Sequence, residues 1–172
     1  FRRIDLQTRN NDLWLLDLAR RTESRFTFGP AIDDDPVWSP DGKMIVFDSN
    51  PEGIRDLLQK PSSGAGNEET LLKSSLPKYP RDWSRDGRYL LFDVDGGKTK
   101  TDIWVLPVSG DKKPFPFLQS TFDEIEGQFS PDARWIVYAS SESGKMEVYV
   151  QSFPASGGKW QISTSGGASP RW

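Results

Sequence analysis

One five-residue pattern recurs in this chain at a fixed period, and that recurrence limits the architecture more than any other feature. Trp-Ser-Pro-Asp-Gly at 38–42 reappears as Trp-Ser-Arg-Asp-Gly at 83–87 and as Phe-Ser-Pro-Asp-Ala at 129–133, with leaders 45 and 46 residues apart. Behind each turn comes a short apolar run ending in an aromatic: Met44 to Phe47, Tyr89 to Phe92 and Trp135 to Tyr138. Such runs predict strands buried on both faces. An acid then opens a second run at Asp12, Asp56, Asp102 and Glu147. A weaker outer strand closes each unit, at Arg25 to Phe28, Glu69 to Leu72, Phe115 to Leu118 and Trp160 to Ser163.

Four short strands in a unit of about 45 residues predict an all-β fold of four-stranded antiparallel blades, a β-propeller. Helical repeats are excluded because Pro or Gly interrupts nearly every window long enough for 3.6-residue periodicity. The Asp-Gly pair fits a tight hairpin, which needs a residue at positive φ. Asp132-Ala133 departs from that rule and predicts a different turn or some strain. The aromatic leader reads as a wedge between neighbouring sheets, and the acids opening the second runs read as structural hydrogen-bond acceptors.

The chain has 172 residues and neither Cys nor His. These two absences exclude disulfides, thiolate zinc sites and any Ser-His-Asp or Cys-His catalytic set within it. No nucleophile elbow, phosphate loop or complete dinucleotide fingerprint occurs, so an enzyme is not expected, nor a cofactor or a metal. With 22 basic and 25 acidic residues, the chain lacks the field that holds nucleic acid. No apolar run approaches the roughly 20 residues that span a bilayer, so no membrane insertion is expected.

The repeated aromatic-Ser-Pro-Asp-Gly and Asp-Ile-Trp elements resemble the TolB-type, WD40-like propeller repeats, over essentially the whole chain. The stretch from Thr101 to Trp172 is especially similar to propellers appended to bacterial serine/threonine kinases. The resemblance implies an innermost first strand (a) and then strands b, c and d outward. It divides the chain into a partial blade at 1–28 (strands c and d), blades at 36–73, 80–118 and 126–163, and the first strand of a further blade at 170–172. Most family members have six to eight blades, which implies a partial ring of a larger propeller. A closed four-bladed ring and a pairing of two half-rings through their exposed end blades stay open.

By family topology the loops entering strand a share one face with those between b and c, and binding commonly uses that face. Acids concentrate there, at Asp33, Asp34 and Asp35 and again at Asp123, Glu124 and Glu126, with Lys78, Tyr79 and Arg81 at the equivalent place between. Carboxylates in one concavity sum their fields and suit a cation or a basic peptide. Their bland alternative is a set of solvated loop acids. Asp93 to Thr99 faintly resembles a calcium loop but lacks the bidentate Glu, and reads better as a hairpin. Trp135 and Trp160 are the tryptophans least demanded by the repeat. The resulting expectation is a protein- or peptide-binding scaffold within a larger bacterial signalling or envelope protein, in an extracytoplasmic compartment by resemblance. The alternative is the non-catalytic gate of a serine peptidase similar to prolyl oligopeptidases.

Overall fold

A computed structural model describes residues 1–6 and 10–172, all as strands, turns and loops without helix. The order is β1 (Arg2–Ile4), β2 (Asn11–Asp17), β3 (Thr22–Arg25), β4 (Asp33–Trp38), β5 (Met44–Ser49), β6 (Asp56–Pro61), β7 (Glu69–Leu72) and β8 (Lys78–Trp83). There follow β9 (Tyr89–Val94), β10 (Asp102–Pro107), β11 (Phe115–Leu118), β12 (Glu124–Phe129), β13 (Trp135–Ser140), β14 (Glu147–Ser152) and β15 (Lys159–Gln161). They form antiparallel meanders in sequence order: β1–β3, β4–β7, β8–β11 and β12–β15. Each of the last three sheets is a four-stranded propeller blade. The first has three strands, because Arg2–Ile4 pairs with Asn11–Leu13 and adds to the two strands expected there. Residues 170–172 form no strand, and the Trp172 indole donates to the Gln128 carbonyl at 3.1 Å.

Burial runs along the second strand of each blade. Five consecutive residues are buried in β5, β9 and β13, which is why each strand opens on a continuous apolar run and does not alternate. Trp38, Trp83 and Phe129 occupy equivalent places as the last residues of β4, β8 and β12. They are not equally wedged: Phe129 is buried, whereas Trp38 is half exposed at the edge of a cleft shared with Phe1 and Trp14.

The repeated Ser-x-Asp builds one hairpin three times. The Ser hydroxyl donates to the Asp carboxylate two residues on, at 2.7 Å in Ser39–Asp41 and Ser84–Asp86 and 2.6 Å in Ser130–Asp132. The same oxygen accepts the backbone N–H of the residue that opens the next strand, Met44, Tyr89 or Trp135. Gly42 and Gly87 hold φ of 72° and 75°, and Ala133 holds 54° in the same turn. Ala133 therefore tolerates the left-handed conformation and does not change the turn type.

The acids near the start of the third strands each accept a hydrogen bond within their own blade. Asp12 accepts from Arg25, Asp56 from the Ser74 N–H, Asp102 from Gln119 and Glu147 from the Ser163 hydroxyl. The chain divides into two compact units, Phe1–Tyr79 and Pro80–Trp172. No helix among the described residues is long and apolar enough to cross a membrane.

Candidate functional site

The acids expected in loops open the inner strands. In the first unit Asp33, Asp34 and Asp35 are the first three residues of β4. Asp33 is 2% exposed and Asp34 8%. Arg2 donates to Asp34 at 2.7 Å. The hydroxyls of Ser49 and Thr27 bind Asp33, yet burial keeps its carboxyl above the usual range. Asp35 differs in backbone. It lies in a bulge between Asp34 and Val37, at φ 44°. Extra residues of this kind bend a strand and re-aim a side chain.

Lys78 is 1% exposed, its ammonium 2.8 Å from Asp56 and 2.9 Å from the Ser74 hydroxyl. It presents no charge outward. Tyr79 is half-buried and lies 5.7 Å beneath the Arg55 guanidinium.

The second unit repeats the bulge at Glu126, φ 59°, between Ile125 and Gln128 of β12. Glu126 and Arg81 converge on Asp93. The Glu126 N–H donates to it at 3.2 Å and the Arg81 Nε at 2.7 Å, while the Glu126 carboxylate accepts the Ser169 N–H at 2.6 Å. Asp123 is half-buried and 3.3 Å from Lys100. Glu124 is buried, takes the Ser120 hydroxyl on one oxygen, and is raised in pKa by that burial. The structure thus exposes Asp35, Asp123 and Glu126 in part, and encloses Asp33, Asp34, Lys78 and Glu124.

One feature escaped the sequence reading. Asp48, in β5, is fully buried and paired with Arg55, and burial outweighs the guanidinium to push its carboxyl up to about 7. Asp93, the matching residue of β9, is pushed to about 6 by burial against the pull of Arg81. It belongs to that strand and its arginine pair, not to a calcium loop. Phe-Asp at 47–48 and 92–93 was the available signal, hidden because the third copy reads Tyr138-Ala139. Trp135 and Trp160 form an edge-to-face pair 5.3 Å apart over Gly158, where a Cβ would lie 2.3 Å from the Trp160 ring. No group of three His, Cys, Asp or Glu side chains among the described residues forms a metal cage.

The family model described as the TolB β-propeller domain matches residues 4–172. A TolB structure from Agrobacterium tumefaciens superposes with a TM-score of 0.78 at 25% identity, over 88% of this chain and 55% of that one. An uncharacterized protein of Agrobacterium fabrum is 27% identical over 71% of this chain and 41% of its own. An uncharacterized peptidase of Bacillus subtilis is 24% identical over 76% of this chain and 25% of its own. This chain therefore spans less than half the length of the two curated relatives it matches.

Proposed function

The chain belongs to the TolB β-propeller domain family, and from that premise we propose that it is a non-enzymatic module binding a basic protein or peptide. The contact edge in the first unit is Asp35 with Tyr79. Its counterpart in the second unit is Asp123 and Glu126 with Arg81. Buried Asp33, Asp34, Lys78 and Glu124 hold these edges in place. The observation that supports this reading most is the pair of bulges. Asp35 and Glu126 each stand three residues before the aromatic leader, both at positive φ, a conformation that costs a non-glycine residue about 1–3 kcal/mol. Strain kept at equivalent acidic positions supports carboxylates held for a ligand, and in Glu126 one oxygen also accepts the Ser169 N–H. A larger bacterial signalling or envelope protein is the proposed setting.

The test is fluorescence anisotropy with a Lys/Arg-rich decapeptide. Asp35→Lys and Glu126→Lys should each weaken capture at least tenfold without changing the far-ultraviolet spectrum, and added salt should weaken the wild-type complex. Unchanged affinity in both variants rejects the acidic edges. Reversing Asp33 or Asp34 is uninformative, because both are buried and their reversal would unfold the strand.

A second reading, the gating propeller of a serine peptidase, is supported by the Bacillus subtilis relative, of which this chain matches a quarter. The chain has no histidine, so the catalytic base would come from another domain. Sequencing outward from both ends tests it: a hydrolase domain with a nucleophile elbow supports this reading, and its absence rejects it.

A further inference from the structure

A basic residue serves the acid near the start of the third strand at two junctions in the chain, and at a third it is missing. Residue pairs 21 or 22 positions apart join that acid to the residue opening the next inner strand: Asp12 with Asp33, Asp56 with Lys78, Asp102 with Glu124. At the first junction Arg25 supplies a guanidinium, 2.7 Å from Asp12. At the second, Lys78 supplies its ammonium, 2.8 Å from Asp56. At the third the residue in the register position of Lys78 is an acid, Glu124.

The local frame is otherwise the same. Ser120 lies four residues before Glu124 and donates to it, as Ser74 lies four before Lys78 and accepts from it. Asp102 and Glu124 are 2% and 3% exposed. Their polar partners, Thr99, Gln119 and Ser120, are all neutral. Asp102 Oδ1 and Glu124 Oε2 have no hydrogen-bond partner. Lys159, whose charge reaches Glu124, is bonded to Glu142. Two buried carboxylates whose one nearby cation is already bonded to another acid are costly, and two unpartnered oxygens add to that cost.

We propose that Asp102 and Glu124 bind a divalent cation, calcium, in the place that Lys78 fills internally at the preceding junction. Acid plus lysine is neutral, and two acids plus a divalent ion are neutral in the same way. With two carboxylates and no third acid, the remaining ligands are hydroxyl, carbonyl and water oxygens. Calcium accepts such mixed, flexible shells of six to eight oxygens, whereas magnesium demands near-ideal octahedral geometry. The site is enclosed beneath the edge that Asp123 and Glu126 form, and its test reads calcium where the test of that edge reads peptide, so either proposal can fail without the other.

The experiment uses the whole chain, stripped with EDTA and titrated with calcium chloride by calorimetry and by thermal unfolding. One calcium should bind per chain, and at a hundredfold excess over Kd the Tm should rise by roughly 5–10 °C. Glu124→Lys, which copies the Lys78 junction, should remove both the binding and the shift while leaving the EDTA-treated Tm at or above wild type. Lys78→Glu should create a second calcium equivalent. If Glu124→Lys does not fold, Glu124→Gln serves, and should also abolish binding. Retention of calcium by Glu124→Gln overturns the proposal. So does a wild-type chain whose Tm and calorimetric titration do not respond to calcium.

Discussion

Among the described residues between Phe1 and Tyr79, a buried apolar cluster gathers Leu13, Phe26, Ile45, Phe47 and Leu58, with Phe26 and Phe47 edge to face. Between Pro80 and Trp172 the cluster gathers Phe129, Tyr138, Tyr149 and Phe153, with Tyr89 and Phe117 packed against it. The same repeat is therefore closed in two ways. The first unit joins its sheets partly through charge: Arg2 with Asp34, and Lys60, nearly buried, with its ammonium on the Phe26 carbonyl at 2.9 Å and 5.2 Å over the Phe26 ring. In the second, Phe153 alone meets Tyr89, Phe117 and Phe129 at 5.1, 6.0 and 5.2 Å. The repeat specifies the strands, and the residues between the motif positions specify what joins one sheet to the next.

The largest expected effect tests the aromatic side of that contrast. Phe153→Ala should cost about 3–5 kcal/mol of stability, because a buried ring at the centre of an aromatic cluster leaves a cavity that rigid neighbours cannot fill. Urea unfolding measures it. A loss under about 1 kcal/mol would show that the cluster is not what holds the second unit together.

The charged side should respond to pH. Asp48 is raised to about 7, so its folded carboxyl binds a proton that the unfolded carboxyl, at about 4, has released. The folded state then binds more protons between those values, and stability falls as pH rises from about 4 to about 7, levelling above. The difference amounts to roughly 4 kcal/mol at about 1.4 kcal/mol per pH unit, with the pull of Arg55 already contained in the raised value. Asp48→Asn should flatten that slope in urea midpoints measured from pH 5 to 8. Asp93, raised to about 6, also receives the Glu126 N–H and should contribute over a narrower window. A slope unchanged in Asp48→Asn would remove the buried carboxyl as its source.

The contrast also explains what the sequence could and could not reveal. The hairpins were legible because Ser39, Asp41 and Gly42 act on neighbours within five residues, and such local chemistry repeats wherever the motif repeats. The site was legible only as composition. Asp33 and Asp35 look alike in sequence, yet one is enclosed between Ser49 and Thr27 while the other is turned by a bulge, and both outcomes depend on strands far along the chain. Lys78 is the sharpest case: it aligned with binding residues, but Asp56, 22 positions earlier, had already claimed its charge.

The smallest effects compare the turns of the two units. At Gly42 a Cβ would meet nothing within 4 Å, so Gly42→Ala adds only left-handed strain and should cost about 1 kcal/mol, lowering Tm by roughly 2–4 °C. Ala133 bears the same strain at φ 54°, but its methyl packs against the aromatic cluster of the second unit. Ala133→Gly relieves the strain, loses that contact and frees the unfolded chain, so these terms nearly cancel and the net change should stay within about 0.5 kcal/mol. Differential scanning calorimetry on both variants decides the matter. A gain of a full kilocalorie in Ala133→Gly would mean that the methyl contributes nothing, and that the aromatic cluster does not account for alanine at this turn.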